Sequence, residues 1–191
     1  MKRIDMAHSP SRRQTLIGAG LTFGALWANL ALPATALGQS TLSWTPKTLT
    51  SAQAQILEVT VDLIMPATDT PGAREAGVAR FIDRAMTNFY DPDQVRRLRD
   101  GLDLMQADAL AAYGTGFAAL DARRQTELLT RYDAEAARQP LSHFFTLMKQ
   151  ATLIGFFTSQ TGATKTLRYD PVPGDYRGCV PLKEIGRAWA T

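Results

Sequence analysis

A thiol, an imidazole and a cluster of guanidiniums are the groups in this sequence with the reactivity to do chemistry. The sole cysteine is Cys179, and of the two histidines only His143 lies beyond the first 36 residues. A nucleophilic thiol needs a base, and His143 is the one imidazole that could serve. As a metal ligand His143 has no histidine companion, so it reads as a packed or solvent-edge side chain. One cysteine also excludes an internal disulfide framework and any Cys-x-x-Cys zinc or haem motif. Arg96, Arg97 and Arg99 cluster, but Asp93–Arg97, Arg96–Asp100 and Arg99–Asp103 are each spaced i,i+4. At about 0.3 kcal/mol a pair, that describes a solvated, charge-compensated helix face. Asp91-Pro92-Asp93 lacks the glycine and distal glutamate of a calcium loop, and there is no nucleophile elbow. Catalysis by this chain on its own is not expected.

The N-terminal segment carries an address. Ser11-Arg12-Arg13-Gln14-Thr15-Leu16-Ile17 is a twin-arginine pattern, and the stretch from Leu16 to Leu32 has no charge. Pro33-Ala34-Thr35-Ala36 then supplies a small-x-small cleavage site, Ala34 and Ala36 being its small residues. Basic region, apolar region and A-x-A together predict a Tat signal over 1–36, cut after Ala36, and an exported, periplasmic protein. A retained membrane anchor is the competing reading, but Gly18, Gly20, Gly24 and Asn29 make the stretch weakly apolar. Gly18-Ala19-Gly20-Leu21-Thr22-Phe23-Gly24 imitates a dinucleotide fingerprint, with phenylalanine where the third glycine belongs and no strand before it. The net charge of +3 belongs to this segment, since Lys2, Arg3, Arg12 and Arg13 are opposed there only by Asp5. The rest is balanced, which argues against a nucleic-acid partner or an anionic membrane surface.

Beyond residue 36 the sequence is that of a globular protein, with enough chain for one core. Thr50 and Gln53 form a capping-box pattern ahead of a helix that Pro66 stops. A second helix is expected from Val78 to Tyr90, with Phe81, Ile82, Met86 and Phe89 on its apolar face. Asp91-Pro92 opens a third, packing Val95, Leu98, Leu102, Met105 and Leu110 and ending at Gly114. Asp121 caps a fourth with Leu128, Leu129 and Tyr132 buried. The most apolar helix is expected over Leu141 to Ser159, with Lys149 its only formal charge, at the centre of the bundle and facing Ile56 and Leu63. No stretch alternates long enough to make a strand, so the predicted fold is all-α: a single bundle of about five main helices, over 37–168.

The segment 169–191 differs. Tyr169 to Pro181 holds three prolines and two glycines, which predicts an extended tail across a surface, with a short helix from Leu182 to Trp189. Cys179 lies within it. In an exported protein an odd cysteine is a free thiol or half of an intermolecular bridge, and a buried unreactive thiol is the alternative. Tyr169, Pro171, Pro173, Tyr176, Arg177 and Trp189 are the candidate partner contacts.

Three stretches, taken in order, are familiar. The first runs from Thr48-Leu49-Thr50-Ser51 through Leu63-Ile64-Met65-Pro66 and Thr70-Pro71-Gly72-Ala73 to Phe81-Ile82-Asp83. The second is Thr152-Leu153-Ile154-Gly155-Phe156-Phe157-Thr158-Ser159, followed by Gly162. The third is Tyr169-Asp170-Pro171-Val172-Pro173-Gly174-Asp175-Tyr176-Arg177-Gly178-Cys179. Behind a Tat signal, this order resembles the gluconate 2-dehydrogenase subunit 3 family, small gamma subunits of bacterial membrane-bound dehydrogenases. The resemblance implies a large FAD flavoprotein partner of the glucose–methanol–choline type, and commonly a membrane-associated multihaem cytochrome c. It also implies that the large subunit travels with the small one, and it carries over no catalytic residue. The cofactors, FAD and haem c, would belong to the partners and none to this chain. The competing expectations are a free-standing periplasmic binding or chaperone module and an independent enzyme with a carboxylate-based helical site.

Overall fold

Capping side chains start four of the five main helices. The computed structural model describes residues 42–172, 174 and 179–190. Thr50 completes its capping box: Oγ1 accepts the Gln53 N–H at 3.2 Å, and Gln53 Oε1 accepts the Thr50 N–H at 3.1 Å. Helix α1 follows over Ser51–Ile64 and ends at Met65, ahead of Pro66. Helix α2 covers Val78–Asn88. Asp91 and Gln94 form a second capping box for α3, Pro92–Tyr113, which stops at Gly114 with φ +68°. Asp121 accepts the Arg124 N–H at the start of α4, Ala122–Arg138. Helix α5 is Phe144–Phe157, and α6 is the short Leu182–Ile185. Among the described residues there is no strand, and the fold is all-α as predicted.

Helix α5 packs against α1, α2, α3 and α4, with its main neighbours α2 and α3 rather than α1 alone. Met148, Ala151, Thr152 and Phe156 are buried on its inner side, with Ile56, Leu57, Ile82, Leu98, Leu102 and Met105 around them. Each large aliphatic side chain removed from water contributes roughly 1.5–3 kcal/mol, so these layers hold the bundle. The close approach of α2 and α5 depends on Gly155: a Cβ there would come within 2.7 Å of the Phe81 ring and 3.1 Å of Val78.

Four expectations are corrected. Phe89 and Leu110 are 82% and 49% exposed rather than core residues, and Ala109 takes the buried place beside Met105. Leu141, 93% exposed, precedes α5 instead of opening it, because the chain at 139–142 turns before the helix begins. The terminal helix ends at Ile185, and Trp189 instead pairs with Arg168 in an isolated bridge. The i,i+4 pairs of α3 are absent: Arg96 meets Asp93 at 2.7 Å, and Arg97 Nη1 donates to the Leu141 carbonyl at 3.1 Å. Asp103 accepts from Gln53 of α1 at 2.9 Å. Arg97 and Asp103 thus take tertiary partners, while Arg96 pairs within the helix at i,i+3 rather than i,i+4.

Candidate functional site

The residues with most chemical potential meet where α3, α4 and the start of α5 converge. A groove of about 520 Å³ there is lined by Asp93, Arg96, Arg97, Asp100 and His143 among others. Two carboxylates offset two guanidiniums, so the groove selects neither an anion nor a cation. His143 is the N-cap of α5: its Nδ1 accepts the Phe145 N–H at 3.2 Å. That bond assigns the ring proton to Nε2, which faces Glu135 at 3.6 Å. Both nitrogens are engaged, and the ring lies 4.8 Å from that of Phe144. The reading of His143 as a packed or solvent-edge side chain holds, with a capping role that the sequence did not disclose. His143→Ala is expected to cost about 1 kcal/mol in denaturant unfolding, and His143→Ser to recover most of it. Equal losses in the two variants would rule out capping as the contribution.

Behind His143 the network continues through Glu135 to Arg131, whose guanidinium pairs with Asp108 of α3. Tyr132 is buried and donates its hydroxyl to Asp108 Oδ2 at 2.6 Å. Burial, then the bond to Asp108, pushes the Tyr132 hydroxyl well above its ordinary value, so it remains a donor. These groups tie α3 to α4. Among the described residues, no three His, Cys, Asp or Glu side chains converge as metal ligands.

A buried carboxylate elsewhere has a defined task. Asp83, 1% exposed on α2, accepts backbone N–H groups from Lys47 at 2.8 Å and from Thr48 and Leu49 at 3.0 Å each. Trp44 Nε1 donates to Glu58 of α1 at 2.6 Å. Together they strap residues 44–49, the lead into the bundle, onto α1 and α2. Sequence reasoning missed Asp83. The available signal was its helical register, since it lies with Ala79, Ile82 and Met86 on the buried side of α2.

The C-terminal segment closes on itself at its base. Arg168 N–H donates to the Ala188 carbonyl at 2.8 Å, and Ala190 N–H to the Arg168 carbonyl at 2.9 Å. The Arg168 guanidinium lies 4.2 Å over the Trp189 ring. Arg187 Nη1 adds a bond to the Lys165 carbonyl at 2.7 Å. Residues 169–188 are thus the span between two joined ends. Tyr169, Pro171 and Cys179 are exposed on it, so a buried thiol is set aside, while Trp189 is partly covered by Arg168. Arg12, Arg13, Ala34, Ala36, Pro173, Tyr176 and Arg177 lie outside the described residues.

A family model described as gluconate 2-dehydrogenase subunit 3 matches residues 51–174. The match begins at the first residue of α1 and takes in all five main helices. No curated protein and no solved structure matches the chain.

Proposed function

Since this chain belongs to the gluconate 2-dehydrogenase subunit 3 family, we propose that it is the non-catalytic small subunit of a periplasmic, FAD-dependent dehydrogenase acting on a sugar or sugar acid. The family match across 51–174 carries this reading. In it, the flavin belongs to a large subunit of the glucose–methanol–choline type, and a multihaem cytochrome c takes the electrons onward at the inner membrane. This chain supplies binding surface and the export signal. Arg12 and Arg13 direct the folded pair to the Tat route, and cleavage after Ala36 frees it from the membrane. A flavoprotein loaded with FAD in the cytoplasm must cross already folded, so its escort must stay bound throughout. That calls for an interface at or above the roughly 1,600 Å² of a standard complex.

The exposed Cys179 supports a covalent addition to that interface. Its thiol would stay reduced during cytoplasmic assembly and pair with a partner thiol only after export. The oxidising machinery of that compartment would take up the two electrons and two protons released. Tyr169, Pro171, Pro173, Tyr176 and Arg177 would contact the same partner.

Export tests the proposal most directly. Arg12→Lys with Arg13→Lys is expected to strand both subunits in the cytoplasm, read as flavin absorbance and dehydrogenase activity in the periplasmic fraction. Normal periplasmic activity in that variant overturns the escort role. Non-reducing electrophoresis of the exported complex tests Cys179, since subunits that separate without reductant are not bridged.

A further inference from the structure

Helix α5 carries apolar side chains all round with few polar ones between them, yet its outer side has no protein over it among the described residues. Ile154 is 56% exposed and Leu153 39%, while Leu147 and Phe157 are half-buried on the same side. The polar residues there, Thr146 and Gln150, are uncharged. The one charge of the helix, Lys149, points to α4 and pairs with Asp133 at 2.6 Å. Phe81 of α2, 38% exposed and seated against Gly155, extends the apolar surface sideways. A solvated helix face ordinarily carries charge, and an all-round apolar helix ordinarily lies in an interior. An uncharged centre with a polar edge is the composition of a protein interface.

The edge identifies the kind of occupant. Arg84 lies one turn beyond Phe81, and Arg80 one turn before Arg84, both exposed on α2. Neither guanidinium has an ion-pair partner among the described residues, because Asp83, the only acid of α2, is occupied by the backbone of residues 47–49. On the α4 side the only ion pair in view, Lys149–Asp133, is already satisfied. In a second copy, the two helices that form this face, α2 and α5, hold one acid between them, Asp83, and it is already occupied. A different protein can bring free carboxylates to Arg80 and Arg84.

We propose that the face formed by Leu147, Leu153, Ile154 and Phe157 of α5 with Phe81 of α2 is where the flavin-bearing subunit docks, through an uncharged apolar patch flanked by carboxylates that meet Arg80 and Arg84. This rests on the complex proposed above and gives it a location. Cys179 is no part of this face, so docking is expected to survive loss of the thiol.

The test is co-purification of the tagged full-length chain with the flavin-bearing subunit encoded alongside it, quantified by flavin absorbance and subunit identity. Leu153→Glu with Ile154→Glu is expected to lower recovered flavoprotein about tenfold or more. Its melting temperature should be nearly unchanged, because both side chains are exposed. Leu110→Glu, an exposed leucine on α3, should leave recovery unchanged. Arg80→Glu with Arg84→Glu should weaken binding about threefold or more and flatten its salt dependence, a readout independent of the apolar variant's stability. Full recovery with both double variants overturns this face while leaving the complex intact. A wild-type chain that retains no flavoprotein overturns the complex itself, and the docking face with it. A wild-type dimer, or adsorption to phosphatidylglycerol vesicles, that Leu153→Glu with Ile154→Glu abolishes while flavoprotein recovery persists overturns the assigned occupant.

Discussion

Asp83→Ala is expected to cost about 3 kcal/mol of unfolding free energy, the largest loss of any single polar truncation in the chain. Three backbone N–H groups, of Lys47, Thr48 and Leu49, have this carboxylate as their acceptor. A buried donor left without a partner costs roughly 1–3 kcal/mol. Leu49 is buried, whereas Lys47 and Thr48 are near enough to the surface for water to replace part of what they lose. For a chain of this size, 3 kcal/mol corresponds to a fall in melting temperature of about 6–12 °C. Asp83→Asn keeps one acceptor oxygen but turns an amide N–H toward donors, so a loss about half as large is expected. Hydrogen exchange supplies the local readout: the amides of 47–49 should lose protection first, ahead of those in α1. A melting temperature within 2 °C of wild type would remove Asp83 from the account of how the lead is held.

The second large effect runs against helix propensity. Gly101 lies inside α3, where alanine is ordinarily better than glycine by about 1 kcal/mol. A Cβ at this position would come 2.3 Å from Cγ of Phe144 and 2.8 Å from its Cβ. These are the root of the side chain, not a mobile tip. The ring is held in turn by Tyr132 at 5.3 Å, His143 at 4.8 Å and Phe145 at 6.2 Å between centroids. Relief therefore requires α3 and α5 to move apart, and overpacking of this kind costs about 1–3 kcal/mol. With the cost at the top of that range, Gly101→Ala is expected to destabilise by up to about 2 kcal/mol once the propensity gain of about 1 kcal/mol is subtracted. In a Phe144→Ala background the two contacts to the ring at 2.3 Å are gone and only the one to Cβ at 2.8 Å remains, so the same change should cost clearly less, a coupling that a double-mutant cycle measures directly. Additive effects of the two substitutions would show that contact between them is not the cause.

The two residues were unequally visible beforehand. Asp83 left a trace, a carboxylate in register with Ile82 and Met86 on the buried side of α2. Gly101 left none, because nothing around it says which helix will cross there. The docking face was misjudged for a related reason. Periodicity identifies α5 as the most apolar helix, and that was correct. It led to the expectation of a helix at the centre of the bundle, whereas one side of it is open and Ile154 is more than half exposed. Phe89 and Leu110 failed in the same way: a 3.6-residue stripe says which residues share a side, not how far neighbouring helices extend over it.

Short-range chemistry made the helices readable from the chain alone. The caps at Thr50, Asp91 and Asp121 and the stop at Gly114 act within three or four residues, and all were found where expected. The family, too, was legible, because its signature is an order of short stretches along the chain. The pairing of helices was decided by tertiary structure, as were the strap of residues 44–49 onto Asp83 and Glu58, the capping by His143 and the joining of Arg168 to Trp189. Each of these depends on groups 14 or more residues apart, or on the turn that sets where a helix begins. Local sequence sets the energy of a turn of helix. Which distant surface covers it depends on the packing of the whole bundle.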